Sequence, residues 1–142
     1  MKILTSLFSL ILNFFVNTQV QTKEVVINNT HIQAEVANTQ IKRTKGLMYK
    51  SHLDQNKGML FIFPKEAQYT FWMANTKIPL DILWINQDKL IVYINKDTPP
   101  CHETNTQKCP RYTPTKKAKY VLEVNSGWVE ENNVQVGNNV EF

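Results

Sequence analysis

The segment Leu80-Asp81-Ile82-Leu83-Trp84-Ile85 constrains the fold more than any other, because it places a single acid in an otherwise apolar run of six. Successive side chains of a strand point to opposite faces. Both faces of this strand are therefore apolar apart from Asp81, and a strand of that kind has to be covered on both sides. A sheet with one face in water is excluded, and the middle of a sandwich or of a partly closed barrel is indicated. Strand-like runs crowd around it in sequence: Met59 to Phe63, stopped by Pro64, then Gln68 to Met73 and Lys89 to Asn95. Turn residues at Asn75 to Lys77 and at Asn86-Gln87-Asp88 join them, so a meander is predicted.

Upstream, Glu24 to Ile27 meets His31 to Ala37 across Asn28-Asn29-Thr30, which reads as a β-hairpin. Asn38 or Thr39 is placed to cap a short helix through Lys45, and Gly46 to end it. Downstream, Lys96 to Lys119 is polar and holds Pro99, Pro100, Pro110 and Pro114, the marks of a long irregular loop. A strand returns at Lys119 to Val124, Ser126 is placed to cap one turn through Glu131, and Val134 to Gly137 with Val140 to Phe142 closes the domain. The expected fold is mainly β: a compact antiparallel sandwich or partly closed barrel with one or two short helices.

At 142 residues the chain has the length of one domain. Residues 24–142 are read as a single β domain, with no repeat or low-complexity tract. Apolar residues make up 42% and aromatic residues 11%, too much buriable surface for a disordered chain. The net charge of +4 is spread thinly, and its densest group, Lys116, Lys117 and Lys119, is followed by Glu123. That is a solvated face rather than a phosphate-binding stripe, so nucleic acid is not an expected partner.

Met1-Lys2, an apolar run from Ile3 to Val16 and the polar Asn17-Thr18-Gln19 have the layout of a secretory signal. Residues 1–20 are accordingly read as a signal peptide or a retained N-terminal anchor, the run being too short for an ordinary membrane span. An exported protein in the periplasm or outside the cell is expected, with no membrane span in the mature chain unless the leader is kept. The two cysteines, Cys101 and Cys109, share one loop, and in that compartment they favour a disulfide worth about 2 to 3 kcal/mol. Zinc is disfavoured, because Cys101, His102 and Cys109 lack a fourth ligand at a recognised spacing. No cofactor and no metal are expected.

The motifs Arg43-Thr44-Lys45-Gly46-Leu47-Met48, Gly58-Met59-Leu60-Phe61, Phe71-Trp72-Met73-Ala74-Asn75-Thr76 and Ile78-Pro79-Leu80-Asp81-Ile82-Leu83 occur in order. With Pro99-Pro100-Cys101, Cys109-Pro110-Arg111-Tyr112 and Tyr120 to Asn125 they make a chain that resembles the bacterial and archaeal family of domains of unknown function numbered 192, from about Glu24 onward. The resemblance implies a compact mainly β domain, often secreted or membrane-anchored, without an established activity. Ala74 stands where the family commonly has a lysine, and Lys50 where it has an arginine.

Asp81 needs partners to sit among Leu80, Ile82 and Leu83. Backbone amides near Asn75-Thr76, or Arg43, would make it structural; a ligand would make it functional. Glu123 alternates with Val121, and if it faced one cavity with Asp81 the two carboxylates could serve as acid and base on a glycan. Phe71, Trp72 and Met73 ahead of Asn75 and Thr76 form a candidate aromatic platform beside hydrogen-bonding groups. Met48, Met59, Met73 and His52, with Trp72, raise copper(I) as a further alternative. The preferred expectation is a non-enzymatic binding or accessory module of the cell envelope, its small-molecule or glycan surface made by Trp72, Asn75, Thr76, Asp81 and Arg43. The alternatives are an envelope hydrolase using Asp81 and Glu123, and a copper(I)-binding periplasmic protein.

Overall fold

The computed structural model describes residues 19–142; the leader expected at residues 1–20 lies, but for its last two residues, outside them. The elements in chain order are β1 (Thr22–Ile27), β2 (Thr30–Ala37), α1 (Gln40–Lys45), β3 (Lys57–Ala67), β4 (Phe71–Trp72), β5 (Leu80–Ile85), β6 (Ile91–Thr98), a single 3-10 turn (Thr106–Lys108), β7 (Arg111–Tyr112), β8 (Ala118–Asn125) and α2 (Trp128–Glu131). Six strands form one sheet in the order β1-β2-β3-β8-β5-β6, and β4 and β7 pair separately.

The mainly β expectation is met, with two differences of architecture. The sheet is open rather than closed into a barrel, and it is mixed, because β2 and β3 run parallel while every other ladder is antiparallel. A parallel pair needs a long crossover, which residues 38–56 supply with α1 inside it. The predicted meander is also corrected. Only β5 and β6 pair as sequence neighbours in that region, while β3 pairs with β2 and β8, and β8 inserts between β3 and β5. Pro64 does not stop β3. It lies where the β3/β8 register shifts between Ile62 and Ala67, a stretch in which a missing N–H leaves no ladder bond unmade.

Local chemistry explains the elements that came out as expected. Asn28 and Asn29 both take positive φ (49° and 62°), the backbone of the two-residue hairpin turn that asparagine tolerates. Thr39 Oγ1 accepts from Lys42 N at 3.2 Å at the start of α1, and Gly46, at φ 48°, returns its N–H to Lys42 O at 2.9 Å. Ser126 does not cap α2. Gly127 takes that place, and Ser126 Oγ donates instead to Asp97 Oδ1.

Both faces of the sheet are covered. On one face Leu83 and Ile85 of β5 pack with Leu122 and Val124 of β8, Leu60, and Trp128 and Val129 of α2. On the other, Leu80, Ile82 and Trp84 pack with Val121, Met59, Phe61 and Met73. The segment 137–141 ties the two outer strands: Val26 and Glu141 exchange both backbone bonds (2.9 and 3.0 Å), while Ile91 N donates to Asn138 O at 3.0 Å and Val140 N to Lys89 O at 2.8 Å. No helix among the described residues is long and apolar enough to cross a membrane.

Candidate functional site

The register of the central strands decides which acids can work together. Asp81 lies opposite Val124, and Ile82 opposite Glu123. Val124 belongs to the α2 side of the sheet and Ile82 to the other. Asp81 and Glu123 therefore point to opposite faces, so the pairing required of a two-carboxylate hydrolase is not formed.

Asp81 is 1% exposed and fully engaged by backbone. Its Oδ1 accepts from Asp97 N at 2.8 Å and its Oδ2 from Val129 N at 2.9 Å. These are neither of the partners predicted for it. The carboxylate joins the end of β6 to the first turn of α2, where an acid also meets the positive end of the helix. Arg43 is elsewhere, donating from Nη1 to Ile62 O at 2.8 Å with its guanidinium 5.1 Å from the centre of the Phe63 ring.

Glu123 has the opposite character. It is 4% exposed, sits between Met59 and Ile82 on neighbouring strands, and has no side-chain hydrogen-bond or ion-pair partner among the described residues. Burial pushes its carboxyl up from 4.5 to about 8. The close approach of β3 makes room for this strand: a Cβ on Gly58 would stand 2.6 Å from Glu123 O.

Glu123 lines the floor of a narrow recess of about 40 Å³ with Phe61, Phe71, Trp72, Thr76, Arg43 and Thr44 among its walls. Arg43, Thr44, Phe71 and Trp72 also line an outer cleft of about 250 Å³, completed by Gln40, Phe63 and Thr70. Gln40, Arg43 and Thr44 form one i, i+3, i+4 stripe of α1, which is how so short a helix supplies three lining residues. Phe71 is fixed edge-on against Phe61 (4.9 Å) and Trp84 (5.7 Å). Trp72 carries the Arg111 guanidinium 4.0 Å from its ring, a contact brought about by the β4/β7 pair.

Of the five residues expected to form a binding surface, the structure gathers Arg43, Trp72 and Thr76. Asn75 is exposed at φ 53°, its carbonyl accepting from Tyr49 N, and Asp81 is on the far face. Gln40, Thr44 and Thr70 were not anticipated, although the helical spacing of the first two was readable. The soft-metal set is divided between core and surface. Met59 and Met73 are packed in the core, and His52 is exposed with Nε2 2.9 Å from Asp54 Oδ1.

Cys101 and Cys109 form a disulfide that pins the loop leading into β7, and Cys101 N donates to Met73 O at 3.4 Å. Cys101→Ser is expected to cost about 2 to 3 kcal/mol and to loosen the Arg111 contact on Trp72. Urea unfolding under non-reducing conditions with tryptophan fluorescence checks both; an unchanged midpoint would refute the first.

The family profile DUF192, described as uncharacterized ACR, matches residues 22–142. A UPF0127 protein of Thermococcus kodakarensis is 24% identical over 83% of this chain and 73% of its own length, and one of Thermococcus gammatolerans is 26% identical over 83% and 74%. A crystal structure of a protein of unknown function from Novosphingobium aromaticivorans superposes with a TM-score of 0.78 at 29% identity, covering 89% of each chain. A candidate transcription regulator from Sinorhizobium meliloti gives 0.77 at 30% identity, covering 86% of this chain and 94% of its own.

Proposed function

Since this chain belongs to the DUF192 family, whose description names no activity, its role has to be argued from the cleft, and we propose that it is a non-enzymatic binding module of the cell envelope holding a small polar molecule or glycan unit between Trp72 and Glu123. The observation that supports this most is the Glu123 carboxyl, 4% exposed and without a hydrogen-bond partner among the described residues, reachable from an aromatic-walled recess. A buried polar group left unpaired costs about 1 to 3 kcal/mol. A ligand hydroxyl or amide reaching it would recover that cost, while a ring rests in the outer cleft against Phe63, Phe71 and Trp72. At neutral pH the carboxyl is largely protonated, so it both donates and accepts and suits an uncharged polar group.

A glycan hydrolase finds less support, because no second carboxylate lines either part of the cleft among the described residues. The regulator role of the Sinorhizobium meliloti relative is not carried over. The longest helix described here has six residues, short for an element that reads the major groove.

Titration with a panel of monosaccharides, N-acetylated amino sugars and small amides, followed by amide NMR shifts, tests the proposal. Shifts centred on Trp72, Thr76 and Glu123, weakened at least about tenfold in Trp72→Ala, are expected. Shifts gathered elsewhere, or none, would overturn it.

A further inference from the structure

α1 separates two environments. Its Gln40, Arg43 and Thr44 stripe lines the aromatic cleft, while Ile41 and Lys42 lie on the other side with Lys45, which is related to them by i+4 and i+3 spacing and also borders the inner recess. On that side Lys42, Lys45 and Lys50 line an open cavity of about 410 Å³ whose walls include Val36, Ala37 and Met59. Glu35 is the one carboxylate in that lining, and Lys50 already holds it. Ile41 is 83% exposed, an unusual position for so large an aliphatic side chain on a helix only six residues long. Val20, 63% exposed, lines the same cavity. The apolar run from Ile3 to Val16 lies a few residues before it in sequence.

From this juxtaposition we infer that the Ile41/Lys42/Lys45 face is a docking surface for an anionic membrane. Two observations commit it to that occupant. Lys42 and Lys45 have no ion-pair partner among the described residues and form a basic rim beside apolar groups, the arrangement that suits acidic headgroups over an acyl boundary. If it is retained as an anchor, the apolar run Ile3 to Val16 would tether the chain to a bilayer only a few residues before Val20, which lines this cavity. The inference does not depend on the cleft: α1 would lie flat on the surface with Ile41 inserted, leaving the Gln40, Arg43 and Thr44 side of the helix, and the cleft it lines, open to solution.

The full chain is to be sedimented with vesicles of phosphatidylcholine alone and of phosphatidylcholine with one quarter phosphatidylglycerol, at 50 mM and 500 mM salt. Binding to the anionic vesicles is expected to exceed binding to the neutral ones, to fall at high salt, and to drop at least about tenfold in Lys42→Glu/Lys45→Glu. The salt comparison on the unaltered protein keeps the test decisive if that variant fails to fold. Equal binding to both vesicles, indifferent to salt, would assign attachment to the apolar run alone and overturn the inference. Saturable binding of monomeric decanoate without anionic vesicle preference would make the cavity an acyl-chain site instead and overturn it as well.

Discussion

Glu123→Gln is expected to leave the protein more stable than the parent at pH 8 and no more stable at pH 4.5. In the unfolded chain the carboxyl ionises at its ordinary 4.5, whereas burial holds it protonated to about 8 in the folded state. Between those values the folded state binds more protons than the unfolded one, so stability falls as pH rises through this window and levels off above it. With each pH unit worth about 1.4 kcal/mol, the parent loses on the order of 5 kcal/mol across the window. That is a large part of what a domain of this size has. Glutamine cannot ionise, so its variant lacks this decline, and its own buried amide leaves a gain of about 2 to 4 kcal/mol at pH 8. Urea unfolding at pH 4.5, 6 and 8 checks the expectation; parallel curves for the two proteins would show that the carboxyl is paired or solvated. A ligand whose uncharged polar group binds the protonated acid should lose affinity in the same pH range.

The second large effect is at Asp81. Asp81→Ala removes the acceptor of two backbone N–H groups, that of Val129, which is buried, and that of Asp97, which is part-buried. At about 1.5 to 3 kcal/mol for each bond to a charged group, the loss is about 3 to 6 kcal/mol. Asp81→Asn retains one acceptor but turns an amide donor toward the other N–H, so it should fall between parent and alanine. Hydrogen exchange gives the more specific readout: the Val129 and Asp97 amides should exchange faster in Asp81→Ala than amides in β3. Equal losses for the two variants in urea would refute the bonding scheme.

The two acids show what the sequence could and could not reveal. That Asp81 needs partners followed from its apolar neighbours in β5, whose boundaries, Leu80–Ile85, were readable from the same run. The hairpin at Asn28-Asn29 and the caps of α1 at Thr39 and Gly46 were legible because their residues act on backbone within a few positions. Which face Glu123 takes relative to Asp81 depends on the β5/β8 register, and a slip of one residue would have put both on the same side. No local pattern sets that register. The same holds for the parallel β2/β3 pair and for Pro64, tolerated within β3 only because of how β8 pairs around it. The cleft was half visible: Trp72 and Thr76 were marked by their turn, but the role of α1 as a wall depended on tertiary packing.

The strap at residues 137–141 bears on how the molecule is made. Val26 is synthesised more than one hundred residues before Glu141, from which it receives its outer partner. At about 5 to 20 residues per second of synthesis, Val26 waits several seconds with its outer N–H and C=O unpaired. During that interval the outer groups of Val26 are open to a chaperone or a translocation machine, and the arrival of Glu141 occupies them.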